Sequence, residues 1–176
     1  QLSGSLVEAY GVTLWSSTAQ INSGNGARWR NMPTGDMTWS GNGSFLYNLG
    51  GTVPTLENRG IIRFNGAGTT TVTAAIVDTV GLTFAVNAGT VAAGGGGRLG
   101  GGKALNGFLD VTAGTITLRT GANLASGTGG VRITGGTVTP DSGAAVTITR
   151  LDLLSGFLTH EGALTIGSQF NWSGGT

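Results

Sequence analysis

From residue 109 to residue 176, apolar and polar residues alternate one by one within a short phrase that is written four times. The four copies read LDVTAGTITL, VRITGGTVTP, LDLLSGFLTH and FNWSGGT, and each contains a bend of small residues that ends in glycine. Alternation with a period of two is typical of strands, whereas a helix repeats its apolar residues about every 3.6 positions. Thr, Val and Ile also favour strands because their branched Cβ atoms fit a pleated surface. The pattern therefore predicts an all-β chain.

The repeated bend determines the predicted architecture. The bend glycines, including two looser upstream copies, are Gly60, Gly89, Gly114, Gly136, Gly156 and Gly175. The spacing between successive bends falls from about 29 to about 19 residues towards the C-terminus, which is a typical length for a structural repeat. Such a repeat without a helix is typical of a solenoid, in which each repeat buries its apolar side by stacking on its neighbours. We therefore predict a parallel β-helix (β-solenoid) with coils of about 19–29 residues.

Counting from each bend glycine predicts which side chains share a column. Apolar residues stand five and three positions before the bend and two after it, and these should point inward. The predicted core columns are Phe84, Leu109, Val131, Leu151 and Phe170; Val86, Val111, Ile133, Leu153 and Trp172; and Val91, Ile116, Val138 and Leu158. Four positions before the bend stand Asp110, Arg132 and Asp152, which alternation places outward. We interpret this charged column as exposed ion pairs that help to fix coil register and contribute about 0–1 kcal/mol each.

Threonines dominate the positions one and three residues after the bend. The predicted outward ladder consists of Thr115, Thr117, Thr137, Thr139 and Thr159. Some ice-binding solenoids present a flat Thr-x-Thr array, but Phe157 and Ala92 interrupt the array in this chain. Because β-branched side chains commonly stack across strands, we favour a structural ladder over ice binding.

The first 43 residues are less regular than the rest and carry Tyr10, Trp15, Trp29 and Trp39. We predict that residues 1–43 form a plug, the first coils or a docking face, and that residues 44–176 form the solenoid coils. An aromatic cluster near the end of a solenoid more often belongs to the core than to a platform for sugars.

Residues 93–107, AAGGGGRLGGGKALN, break the rhythm and are predicted to form a glycine-rich surface loop. The run from Gly97 to Ala104 nearly matches the phosphate-binding loop G-x-x-x-x-G-K-[ST]. However, Ala104 replaces the hydroxyl that would hold magnesium, and a strand pattern rather than a helix follows. We therefore predict no nucleotide and no other cofactor.

Composition and charge argue against several functions. The net charge of +1 gives no electrostatic reason to expect nucleic acid or an anionic membrane, and the chain has no cysteine and one histidine, which disfavours a zinc site. No run of about 18 apolar residues is present that would span a membrane. Asp141 and Glu161 on adjacent coils are candidates for a glycosidase pair, with His160 as proton carrier. The short flanking coils supply no cleft, so we do not predict an enzyme.

The phrases GTITL, GGTVTP and FNWSGGT resemble the repeats of large bacterial surface proteins, the haemagglutinin-like adhesins and autotransporter passengers, over roughly residues 37–176. The resemblance implies a right-handed parallel β-helix outside the cell that serves in adhesion or in a fibre. FNWSGGT reads as a regular coil phrase, so Phe170 and Trp172 are predicted to form an end contact. The expected partner is a second copy stacked head to tail or the neighbouring repeats of a longer chain. The alternative is a β-helix of the tailspike or lyase type that binds or processes glycans.

Overall fold

A computed structural model describes residues 1–78, 83–159 and 161–176 of the chain. Within these residues there are 23 β-strands and no helix. Through most of the chain each strand pairs in parallel with the strand three places further on, as β2 does with β5 and β5 with β8. Every turn of the chain thus contributes one strand to each of three faces. The predicted all-β parallel solenoid is confirmed.

The strands form three parallel ladders, one on each face of the solenoid. The first face contains β1 (Leu2–Ser3), β4 (Gln20–Gly24), β7 (Ser44–Tyr47), β10 (Thr69–Val72), β13 (Thr90–Ala93), β16 (Phe108–Val111) and β19 (Gly130–Ile133). The second face contains β2 (Leu6–Ala9), β5 (Arg28–Asn31), β8 (Thr55–Asn58), β11 (Ala75–Asp78), β14 (Gly97–Leu99), β17 (Thr115–Leu118), β20 (Thr137–Pro140) and β22 (Phe157–Leu158). The third face contains β3 (Val12–Trp15), β6 (Asp36–Trp39), β9 (Ile61–Phe64), β12 (Thr83–Val86), β15 (Gly102–Leu105) and β18 (Asn123–Ser126).

Two long strands complete the first and third faces. β21 (Ala145–Leu153) and β23 (Ala163–Trp172) each run along the third face and continue onto the first. Their pairing shifts register between Ile148 and Arg150, which marks the corner. The chain therefore makes about eight turns, and the last two round this corner without leaving the strand.

The core is a set of stacked columns, because alternate residues of each strand point inward. On the first face Val111, Ile133 and Leu153 follow one another in register, and all three are buried. On the third face the rings of Trp15, Trp39 and Phe64 stack, with centroids 5.1 and 5.0 Å apart. The aromatic residues Trp15 and Trp39 thus belong to the core of the first turns.

The predicted register holds from residue 109 onward. Leu109 pairs with Val131, Val131 with Leu151 and Leu151 with Phe170, as counting from the bend glycines requires. Ile116, Val138 and Leu158 likewise lie in one column of the second face. The four phrases all bend at the corner between the first and second faces, so counting from their glycines compares equivalent positions.

The register predicted upstream of residue 109 is wrong. Gly60 lies between β8 and β9, and Gly89 lies between β12 and β13, so each bends the chain at a different corner. Phe84 therefore belongs to the third face, where it pairs with Ile62 and Lys103, and not to the column of Leu109. In the same way Val91 pairs with Leu109 on the first face.

The wide spacings from Gly60 to Gly89 and from Gly89 to Gly114 are consequently not coil lengths, because the glycines that bound them lie at different corners. True turns are given by the strand pairs. In an early turn Arg30 and its partner Glu57 have a sequence separation of 27. Val91 and its partner Leu109 are much closer in sequence. Turn length thus varies without a steady trend, since the first pairing joins residues 21 apart (Leu2 and Ser23) and a late one joins residues 24 apart (Asn123 and Thr147).

The predicted glycine-rich loop at residues 93–107 is also wrong, because these residues contain β14 and β15. The glycines there permit close packing of the backbone. Gly97 has a φ of +136°, and a Cβ at this position would collide with the carbonyl oxygen of Ile76 in the adjacent strand. Residues 1–43 are likewise regular: they contain β1 to β6 and supply the first turns on all three faces.

Candidate functional site

The predicted charged column lies on the first face. Asp110, Arg132 and Asp152 pair in register on three successive turns. Arg132 Nη1 lies 4.0 Å from Asp110 Oδ2, and its guanidinium carbon lies 4.3 Å from the centre of the Phe108 ring. The structure therefore contains the column, although its members are less exposed than predicted.

Asp152 has a stronger partner than the one predicted. Arg150, two residues earlier in β21, donates two hydrogen bonds of 3.0 Å to the two carboxylate oxygens of Asp152. Asn171 adds a third, of 2.7 Å, from the next turn. Asp152 is 4% exposed as a result. The bend glycines do not predict the role of Arg150, which follows from the continuous strand around the corner, where i and i+2 residues share a face.

The predicted threonine ladder lies on the second face. Thr115 pairs with Thr137, and Thr117 with Thr139. Thr159 continues the ladder, since its N–H donates to the carbonyl of Val138. Phe157 pairs with Thr137 and interrupts one column, as the sequence predicts. Two complete threonine rows therefore stand side by side. The predicted interruption by Ala92 is wrong, because that residue lies on the first face beside Asp110.

Further towards the N-terminus, the second face carries a network of charges that the sequence pattern did not predict. Its members, hereafter the Glu57 cluster, are Glu8, Arg28, Arg30, Glu57 and Arg59. Arg30 Nε and Arg28 Nη2 lie 2.8 and 3.1 Å from Glu57 Oε2, and Arg59 Nε lies 2.7 Å from Glu57 Oε1. Arg30 also reaches Glu8, with 2.8 Å between Nη1 and Oε1. Three guanidinium groups thus surround one carboxylate.

The arginines change the protonation behaviour of the cluster. Burial disfavours the Glu57 carboxylate, but the hydrogen bonds and charges of Arg30 and Arg59 outweigh burial and hold the pKa of Glu57 below its usual value. The hydrogen bond to Glu57 raises the pKa of Arg30. A 2.9 Å hydrogen bond from the Tyr10 hydroxyl to Glu8 raises the pKa of that tyrosine. Glu57 and Arg30 are consequently both charged at neutral pH.

Lys103, in the sequence that resembles a phosphate-binding loop, is directed into the core. Its Nζ lies 2.9 Å from Asp78 Oδ2, and both side chains are 0% exposed. Asp78 ends β11 and follows the buried Asn31 and Asn58 in the same column of the second face. A lysine held in this way is not available to a nucleotide phosphate.

A cavity of about 260 Å³ opens on the third face between β12, β15 and β18. It coincides with a shift in register between β15 and β18. Its lining residues are Thr83, Phe84, Gly102, Lys103, Ala104, Asn123 and Ser126. The one charged group among these lining residues is that of Lys103, which pairs with Asp78.

The candidate catalytic carboxylates remain at the surface. Asp141 Oδ2 lies 3.6 Å from Arg119 Nε, and Glu161 is exposed in the last turn. His160 lies outside the described residues. Over residues 1–78, 83–159 and 161–176, no group of three or more His, Cys, Asp or Glu side chains is placed to hold a metal ion. The same residues contain no helix that is long and apolar enough to cross a membrane.

The predicted end contact lies at the C-terminal end of the stack. Phe170 and Trp172 pair with Leu151 and Leu153, and so continue two core columns by one turn. They are 45% and 65% exposed, and their rings lie 6.3 Å apart. Both side chains are therefore in core positions at an open end.

No protein-family model, curated protein or solved structure matches the chain.

Proposed function

We propose that this chain is a non-catalytic structural or adhesive module of an extracellular fibre or long surface protein, and that its ends pack against further solenoid turns. The observation that carries the proposal is the position of the exposed large apolar residues. Apart from Val53, those among the described residues lie towards the first or last turn: Leu6, Tyr10, Val12, Leu14, Leu154, Phe157, Phe170 and Trp172. Large exposed apolar patches commonly mark protein–protein contacts.

The backbone at the C-terminal end supports the same proposal. β23 pairs with β21 along most of its length, and no strand of the described residues pairs with its other edge. An edge of this length presents a row of free N–H and C=O groups that favours pairing with another strand. Leu158, Leu164 and Ile166 face the core in the last turn. They are half-buried because no further turn among the described residues covers them.

The N-terminal end offers a matching surface. Leu2 and Trp15 are half-buried residues that pack on the core of the first turn. A second copy seated there would meet the C-terminal end of its neighbour head to tail. Such a contact uses two different surfaces, and so it propagates into a filament unless the rotation closes a ring.

Sedimentation velocity over a range of protein concentrations tests the contact. We expect association that grows with concentration, and filaments by negative-stain electron microscopy. The double variant Phe170→Glu/Trp172→Glu should remain monomeric, while Val53→Glu, which changes an exposed residue away from both ends, should associate like the unmodified chain. A chain that stays monomeric at the highest concentration, or a Val53 variant that dissociates equally, would count against end-to-end packing.

A further inference from the structure

Outside one part of the second face, the acidic side chains of the described residues have cationic partners, apart from the exposed Glu161 in the last turn. On the first face Asp110 and Asp152 accompany Arg132 and Arg150. On the third face Asp36 pairs with Arg63. In contrast, the strands β2 to β14 of the second face and the bend after β8 carry the side chains of four arginines and two glutamates, of which Glu57 is buried: Arg28, Arg30, Arg59 and Arg98, with Glu8 and Glu57. This part of the surface therefore has an excess of two positive charges.

The excess is divided between two centres in one column. Arg30, Glu57, Val77 and Arg98 pair in register on successive turns. The first centre is the Glu57 cluster, in which three arginines face two carboxylates. The second is Arg98, which is exposed and has no carboxylate within 4.0 Å among the described residues. With about 4.8 Å between neighbouring strands, the backbone of Arg98 lies about 10 Å from that of Glu57 along the solenoid axis.

The surface between the two centres carries only small, uncharged residues. Ala75 and Val77 are the outward residues of β11, and Gly96 precedes β14. Small side chains here leave a shallow path along which an extended polymer could contact both centres. Beyond Arg98 the same path continues into Thr117 and Thr139, whose hydroxyl groups can donate and accept hydrogen bonds.

We propose that this strip, defined by Arg28, Arg59, Arg98 and the threonines that follow, binds a linear polysaccharide that carries carboxylate groups and lies along the solenoid axis. Glu57 shows how a carboxylate is held on this face, with three guanidinium nitrogens 2.7 to 3.1 Å from its oxygens. Arg28 and Arg59 keep side-chain exposures of 50% and 40%, and a guanidinium has five N–H donors, so each can take a second carboxylate. A polyuronate carries one carboxylate on every sugar, so different groups of one chain can meet the two centres.

A nucleic acid fits the same strip less well. Its phosphates require a dense row of cations for affinity, and this strip has an excess of two charges. Bases also need aromatic side chains on which to stack. Two exposed aromatic residues border the described part of the strip, Tyr10 in the first turn and Phe157 in the last, too far apart to stack on neighbouring bases, and the Tyr10 hydroxyl is bonded to Glu8.

Affinity electrophoresis and calorimetry of the full chain with polygalacturonate, dextran and single-stranded DNA test the proposal. The protein is kept at a concentration where it is monomeric, so the result does not depend on end-to-end packing. We expect polygalacturonate to bind, dextran not to bind, and DNA to bind more weakly. The logarithm of the affinity should fall linearly with the logarithm of the salt concentration, with a slope of about two.

Single variants test whether polygalacturonate binds at this strip. Arg98→Gln should weaken polygalacturonate binding about tenfold and lower the salt slope by about one. Arg63→Gln, a matched change on the third face, should leave the affinity within about twofold. Equal affinity for dextran, tighter binding of DNA, or an equal loss in the Arg63 variant would overturn the proposal.

Discussion

Replacing Lys103 by methionine tests how the core tolerates charge. Two unit charges 2.9 Å apart attract by about 6 kcal/mol at an effective dielectric constant of 20. Desolvation costs several kcal/mol for each ion, so the intact pair contributes little net stability. Lys103→Met removes the attraction and leaves the carboxylate of Asp78 buried. We therefore expect the free energy of unfolding to fall by clearly more than the roughly 1 kcal/mol that the loss of a surface ion pair costs.

The double variant Lys103→Met/Asp78→Asn separates the loss of a charge from the loss of packing. It removes both charges and extends the column of Asn31 and Asn58 by a third amide. Because replacing both members of a buried ion pair is often close to neutral, the double variant should recover most of the lost stability. Arg63→Met, which breaks the half-buried pair with Asp36, should cost about 1 kcal/mol or less.

Urea unfolding at pH 7, followed by far-UV circular dichroism, measures these differences. The slope of the free energy of unfolding against urea concentration must be the same for all variants, because a solenoid can lose single turns instead of unfolding as a whole. An equal slope shows that the variants expose the same surface when they unfold. If Lys103→Met costs no more than Arg63→Met, or if the double variant is no more stable than the single one, the account of the buried pair is wrong.

Three further outcomes follow from the register and the charged clusters. Gly97→Ala should lower the free energy of unfolding by about 3 kcal/mol or more because its Cβ meets the backbone of the adjacent strand, whereas Gly102→Ala, with no atom within 4 Å of the new Cβ, should change it by less than about 0.5 kcal/mol; equal melting temperatures would contradict the packing. Arg132→Gln should cost at most about 1 kcal/mol, and added salt should reduce the part due to Asp110; urea unfolding in low and high salt measures both. The depressed pKa of Glu57 stabilises the folded state above the unfolded-state value of about 4.3, and this contribution is lost as pH falls through the lower folded-state pKa, so the loss of melting temperature in Glu57→Gln should be largest at pH 7 and shrink as the pH is lowered below about 4; a difference independent of pH would refute the assignment.

The part of the fold that could be predicted from the sequence is the part where one corner repeats. Asp110 and Arg132 align correctly because the glycines Gly114 and Gly136 occupy the same corner of successive turns. Upstream, similar phrases bend at different corners, so counting from Gly89 gives the wrong alignment. A turn with three corners has three places for such a phrase, and alternation alone does not distinguish them.

The Glu57 cluster escapes prediction for a related reason. Glu57 meets Arg28 and Arg30 from the preceding turn, and the sequence separation between Arg30 and Glu57 is 27. Without a repeated phrase, the sequence does not show that these two strands are neighbours. The patterns Arg28-x-Arg30 and Glu57-x-Arg59 show only that alternate residues within each strand share one face. The glycines around Lys103 resemble a loop in the sequence, although in the structure they permit close strand packing.

The ladder hydrogen bonds of all three faces run along the long axis of the solenoid, and this has a mechanical consequence. A pull on the two ends loads the bonds of one terminal turn at a time, so turns peel away in succession. A turn of about 20 to 25 residues occupies about 4.8 Å of the stack but spans about 65 to 85 Å when drawn out. Each lost turn therefore adds more than ten times the length that it occupied in the stack, so a pulled solenoid lengthens in steps of one turn.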